Sequence, residues 1–72
     1  MEIRYQPHAA EQMEARSIRE EHVRFVLENG FFVRPTGDGL GELLRARILG
    51  RRITVAVEWL RGDVALVRSV WE

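Results

Sequence analysis

A long β-hairpin between residues 43 and 59 is the feature that most constrains how this chain folds. Residues 43–59 read LLRARILGRRITVAVEW, and apolar and polar residues alternate on both sides of Gly50. A glycine followed by one more turn residue favours a type II′ turn, because the first position of that turn requires a positive φ. The sequence therefore predicts a two-residue loop, Gly50-Arg51, between two antiparallel strands.

This turn sets a register that separates the hairpin into two faces. Leu49 should pair with Arg52, and the pairing should continue to Leu44 opposite Val57. Successive side chains of a strand point to opposite sides of the sheet, so a register error of one residue would mix the two faces. The apolar face carries Leu44, Ala46, Ile48, Ile53, Val55 and Val57. The polar face carries Arg45, Arg47, Arg52, Thr54 and Glu58.

The first 30 residues predict two short helices. Pro7 suits the first turn of a helix, which should end near Arg16. Ser17 and Glu20 match a capping box, so Ser17 is expected to begin a second helix that runs to about Glu28 and is stopped by Asn29-Gly30. Both helices are too short to be stable alone, so they should pack on the apolar face of the sheet.

Shorter strands are predicted around the hairpin. Glu2–Tyr5 is either an edge strand or an ordered lead-in, Phe31–Arg34 is a strand, and Val64–Trp71 is the final strand after a turn at Arg61-Gly62. The final strand is apolar on both faces, which leaves two registers open. In one of them Arg68 lies among apolar side chains and needs an acidic partner. The candidate partners are Glu11, Glu14 and Glu28.

These elements predict an α+β fold in a single domain spanning residues 1–72. An N-terminal helical hairpin should pack on a three- to four-stranded, mostly antiparallel sheet, in two layers. The chain has no cysteine, which excludes disulfides and thiol chemistry. We expect a cytoplasmic protein without a membrane partner, because no segment has the apolar length of a membrane span or of a signal peptide.

Charged side chains provide the candidate functional residues. Net charge is zero, and all 11 basic residues are Arg, whose guanidinium binds phosphate and carboxylate in bidentate fashion. The hairpin register brings Arg45, Arg47 and Arg52 together in a patch that could bind phosphate groups, or that could be a solvated face paired with Glu58. His8 is a candidate general acid or base, with a local helix-start hydrogen bond as the alternative. No spacing in the sequence indicates a metal or a cofactor.

A pattern of residues runs through nearly the whole chain: His8-Ala9, Met13, Arg16 and Ile18, residues 20–29, and the closing segment of residues 67–71. In this pattern the chain resembles the DUF4258 family of small bacterial proteins. Gln12 and Ser17 depart from that pattern, which often has Arg and Gly there. The family is similar in layout to plasmid toxins of the RelE, ParE and BrnT type.

This resemblance implies a toxin-like protein that binds RNA or cleaves it without a metal. Arg45, Arg47 and Arg52 would bind RNA, whereas His8, Arg47 and Arg68 would be the catalytic candidates. The implied partners are RNA and an antitoxin protein. The alternative is a non-catalytic interaction module that forms a homodimer through a strand edge or through its two tryptophans.

Overall fold

Two helices cover one face of a five-stranded sheet in the computed structural model, which describes all residues from 1 to 72. The elements in chain order are β1 (Glu2–Tyr5), α1 (Pro7–Arg16), α2 (Glu20–Asn29), β2 (Phe31–Pro35), β3 (Glu42–Ile48), β4 (Arg51–Arg61) and β5 (Val64–Trp71). The strand order is β1-β5-β4-β3-β2, and only the β1–β5 pairing is parallel. The predicted α+β class and mostly antiparallel sheet are confirmed. Neither helix has the length and apolar character needed to cross a membrane.

The strand count and the helices-first layout need correction, since the sheet has five strands and begins with β1. The backbone N–H groups of Glu2 and Gln6 donate to the carbonyls of Asp63 and Val67, at 3.0 and 2.9 Å. Pairing with β5 satisfies backbone groups that an unpaired lead-in would leave to water. β1 therefore forms one edge of the sheet, and β2 forms the other.

The junction between the helices differs from the predicted capping box. Ser17 has a φ of 55° and ends α1 in the left-handed conformation. A residue that begins a helix needs an extended backbone, so Ser17 cannot serve as the N-cap. Arg19 takes that position, and its N–H donates to Nδ1 of His22 at 3.0 Å.

Gly30 ends α2 as predicted, but for a different physical reason. Its φ is −72°, which is not left-handed. A Cβ at this position would lie 2.4 Å from the carbonyl oxygen of Val26. The glycine is therefore needed for close approach to the helix end.

The hairpin turn lies one position earlier than predicted, at Leu49-Gly50, with Ile48 paired to Arg51. Both turn residues have positive φ, 51° and 81°, as a type I′ turn requires. The register differs from the predicted one by two residues. Because side chains alternate with a period of two, this shift leaves every residue on its predicted face.

Leu49 is an unfavourable residue for this turn, and we expect Leu49→Asn to stabilise the protein by about 1 kcal/mol. Non-glycine residues other than Asn and Asp adopt the left-handed region at a cost of roughly 1–2 kcal/mol. Leu49 gains little contact in return, because it is 91% exposed. Urea denaturation would measure the change, with Leu49→Ala as the control that removes the side chain but keeps the conformational cost. Equal stability of the two variants would contradict this account.

The core lies between the helices and the predicted apolar face of the hairpin. It combines residues of the two helices and of the junction between them with side chains from β3, β4 and β5. Its buried members are Ala9, Ile18, Val23, Val26, Leu27, Leu44, Ala46, Ile53, Val55, Val57, Ala65, Val67 and Val70. Arg51, on the helical side, connects the layers: it donates to the carbonyls of Arg16 and Ser17 at 2.7 and 3.1 Å and pairs with Glu72 at 2.6 Å.

A bulge in β5 determines where Arg68 lies. Pairing shifts between Ala56 and Val57, so that Val67 and Val70 both face the core. Arg68 faces the open side of the sheet and pairs with Asp38 and Glu58, rather than with the glutamates of the helices.

Candidate nucleic-acid interface

The side of the sheet that faces away from the helices carries the predicted arginine patch. Arg45 and Arg47 lie on β3 on either side of the core residue Ala46, and Arg52 lies on β4 next to the core residue Ile53. We call these three residues the arginine face. The structure thus brings together all three residues predicted to bind RNA.

No carboxylate contacts the arginine face. Arg45 donates its Nε to Oγ1 of Thr54 at 2.8 Å, and Glu58 contacts Arg68 instead of Arg45. Arg47 and Arg52 pair directly across β3 and β4 and form no ion pair. The Cβ atoms of residues paired in this way lie about 4.5–5.5 Å apart, and like charges there destabilise a sheet. An anion bound at this position would relieve that repulsion.

Two aromatic residues lie in the same cross-strand row as Arg45, one at each end of the row. Phe31 pairs with Arg45, Arg45 with Thr54, and Thr54 with Trp71, so the four form one row across β2, β3, β4 and β5. Phe31 is 59% exposed, whereas Trp71 is half-buried. Aromatic faces beside guanidinium groups can bind both the bases and the phosphates of a nucleic acid.

Arg68, a predicted catalytic residue, is held on the open side by acidic groups. Its guanidinium donates two hydrogen bonds to the Asp38 carboxylate, and Oε1 of Glu58 lies 3.9 Å away. The Arg68 hydrogen bonds are the main reason that the pKa of Asp38 is far below its usual range, and the Leu40 N–H and the Thr36 hydroxyl act in the same direction. The same pairing raises the pKa of Arg68.

His8 is separated from the predicted arginines. It lies exposed in the first turn of α1, which packs on β5 in the helical layer. Arg47 and Arg68 face the opposite side of the sheet. The three catalytic candidates therefore do not converge on one site.

Charge is distributed unevenly between the two layers. The helical segment from Pro7 to Asn29 contains three Arg and five Glu. On the open side, the arginine face has no acidic neighbour within ion-pair distance. A chain with zero net charge thus presents a basic surface on one side.

Other potential sites are less developed. A cavity of about 470 Å³ is lined by Glu2, Arg4, Leu60, Arg61 and Val64. Its carboxylate already binds Arg4, since Oε2 of Glu2 lies 2.6 Å from Nε. No group of three or more His, Cys, Asp or Glu side chains is placed to hold a metal ion.

Phe31, Trp71 and Asp38 are the members of this surface that the sequence did not reveal. The aromatic row depends on the pairing of Arg45 with Thr54, whereas the predicted register placed Arg45 opposite Ala56. Asp38 lies in the loop between β2 and β3, outside every predicted strand and helix. A register based on a Leu49-Gly50 turn would have placed Arg45 opposite Thr54, but it does not locate Phe31 or Trp71, whose positions depend on the β2–β3 and β4–β5 pairings.

Comparison with known proteins gives no relative from which a function could be transferred. No family model, no curated protein and no solved structure matches this chain. The resemblance to the DUF4258 family and to plasmid toxins therefore remains a prediction.

Proposed function

We propose that this protein binds single-stranded RNA through the arginine face. Arg47 and Arg52, paired side by side without a carboxylate, are the main support for this function. Such a pair weakens the free protein and gains stability when a phosphate bridges it. Arg45 extends the positive surface to the neighbouring row of cross-strand pairs, in which Arg45 pairs with Thr54.

The aromatic row favours single-stranded over duplex RNA. Bases in a duplex stack on one another, whereas unpaired bases are free to stack on aromatic side chains. Phe31 offers its exposed ring at the sheet edge, one strand from Arg45. Phosphates on the arginines and a base on Phe31 would engage the same nucleotide segment.

The proposal is limited to binding, because RNA cleavage also needs a group that moves protons beside the phosphate. His8 is the predicted candidate, and it lies on the other side of the sheet. A toxin-like context, with an antitoxin that covers the arginine face, is compatible with binding alone.

Arg52→Glu provides the test, because it should change affinity and stability in opposite directions. We expect affinity for a fluorescent single-stranded RNA oligonucleotide in low salt to fall by about tenfold to a hundredfold, the equivalent of a lost charge-assisted hydrogen bond. The melting temperature should rise slightly, since Glu would pair with Arg47 across the strands. Fluorescence anisotropy and thermal denaturation measure the two effects.

Arg19→Glu is the matched control, because it makes the same change in net charge on the helical side. It should leave RNA affinity within about twofold of the native value, a difference of roughly 0.4 kcal/mol. Equal losses in the two variants would show that only total charge matters, and would overturn the proposed surface.

Self-association through β2 is a second candidate function. β2 is an edge strand, and its two phenylalanines are exposed on opposite sides, Phe31 at 59% and Phe32 at 56%. An unprotected apolar edge can pair with a strand from another chain. Sedimentation at micromolar concentration tests this candidate: a dimer that Phe32→Glu converts to a monomer would support it, and a monomeric native chain would exclude it.

A further inference from the structure

The loop between β2 and β3 places one carboxylate on the same surface as the arginine face. Residues 36–41 lead into β3, yet Asp38 reaches Arg68 on β5. Because β4 separates those strands, the loop has to cross it on the open side. Gly41 lies against β4, where an added Cβ would be 2.4 Å from the carbonyl oxygen of Val57.

Asp38 binds Arg68 in the way that a phosphate would. Both carboxylate oxygens accept hydrogen bonds from the two terminal nitrogens of the guanidinium. Arginine binds carboxylate and phosphate with this same two-pronged geometry. The Asp38 carboxylate thus takes the place that a bound anion would have on Arg68. Arg68 lies on the same side of the sheet as the arginine face.

Arg68 lies within reach of the RNA path proposed above. Arg45 and Arg68 are on strands two apart, and Arg68 lies about two residues further along the sheet. Strand spacing and rise per residue place their backbones roughly 12 Å apart. Two extended arginine side chains at this separation can bind neighbouring phosphates of one RNA chain.

Release of Arg68 does not require the loop to unfold. The loop is closed by its own hydrogen bonds: Thr36 N–H to Gly41 O, Gly39 N–H to Thr36 O, and Gly41 N–H to Thr36 Oγ1, each 3.0 Å. The Asp38–Arg68 pair is partly exposed, with 39% and 27% of the side-chain surfaces accessible. Water and salt weaken such pairs, so a competing anion can replace the carboxylate.

We propose that Arg68 is a fourth phosphate-binding arginine of this surface and that Asp38 masks it. This inference rests on the proposed RNA function. It assigns Arg68 to phosphate binding instead of the catalytic role predicted from sequence. It also gives the loop between β2 and β3 a role, because Asp38 competes with RNA phosphates for Arg68.

The test is the salt dependence of single-stranded RNA binding by Asp38→Asn. Each phosphate contact with a single strand contributes about 0.7 to the slope of log K against log salt concentration. We expect Asp38→Asn to steepen the slope by about 0.7 and to raise affinity in low salt. Asp63→Asn, which removes an equal charge from an exposed turn, should leave the slope unchanged.

Arg68→Gln separates masking from a general charge effect. In the Asp38→Asn background it should return the slope to the native value, because the added phosphate contact is lost. In the native background it should lower the slope by much less than about 0.7, since Asp38 occupies Arg68 most of the time. A fall of about 0.7 for the single Arg68→Gln variant would overturn the masking, even if Asp38→Asn failed to fold.

Failure of this inference is distinguishable from failure of the proposed function. If the native chain shows no salt-dependent RNA binding, the proposed function fails. If the native chain binds RNA, but the salt slope of Asp38→Asn equals that of Asp63→Asn, the proposed function stands and only the masked Arg68 site is overturned.

Discussion

Gly41→Ala should destabilise the protein by about 1–3 kcal/mol, the usual cost of overpacking a tight contact. The added Cβ would lie 2.4 Å from the carbonyl oxygen of Val57 and 3.4 Å from Cα of Glu58. Both atoms belong to the backbone of β4, so no side-chain rotation can relieve the clash. Thermal denaturation should show a loss of roughly 4–8 °C for each kcal/mol.

Gly37→Ala, in the same loop, is the matched control. A Cβ there would have no atom within 4 Å, and its backbone is not left-handed. Replacing such a glycine reduces the freedom of the unfolded chain and stabilises by about 0.4–1 kcal/mol. The two substitutions should therefore have opposite signs. A neutral Gly41→Ala variant would mean that the loop does not lie against β4.

The faces of the hairpin could be predicted from sequence, whereas its register could not. Alternation assigns Arg45, Arg47 and Arg52 to one side under either turn, because registers that differ by two residues have the same faces. The preference of a type II′ turn for glycine then predicts Gly50 at the first of the two turn positions. The structure places Leu49 there with a positive φ, against its own conformational preference. Tertiary packing of the hairpin outweighs that local cost.

The contacts of Arg68 show why the remainder of the surface could not be predicted. Its partner Asp38 lies 30 residues away in sequence, in a loop whose path depends on the close contact of Gly41 with β4. The sequence indicated only that an inward Arg68 would need a carboxylate. The bulge in β5 turns Arg68 outward, and periodicity does not reveal a bulge. Pairings between distant segments follow from packing, which a local pattern does not contain.

Ile53→Ala should have the largest effect on stability, a loss of about 2–5 kcal/mol. Ile53 is fully buried and is the largest of the fully buried side chains. Its partner on β3 is Ala46, which is too small to fill the resulting cavity. A chain of this size has a total stability of roughly 4–11 kcal/mol, so the loss is a substantial fraction of it. Urea denaturation measures the loss, with Ile53→Val expected at about 0.5–1.5 kcal/mol.

Ile48→Ala is the control for position in the sheet, because Ile48 only packs against the core from the hairpin end. It should cost clearly less stability than Ile53→Ala, and equal costs would contradict a core centred on β4.

The Ile53→Ala variant also distinguishes an effect on stability from an effect on RNA binding. Ile53 lies next to Arg52 in sequence but points to the helices, so the folded fraction of Ile53→Ala should bind RNA with native affinity. Reduced affinity of the folded fraction would mean that the helical side contributes to the RNA site.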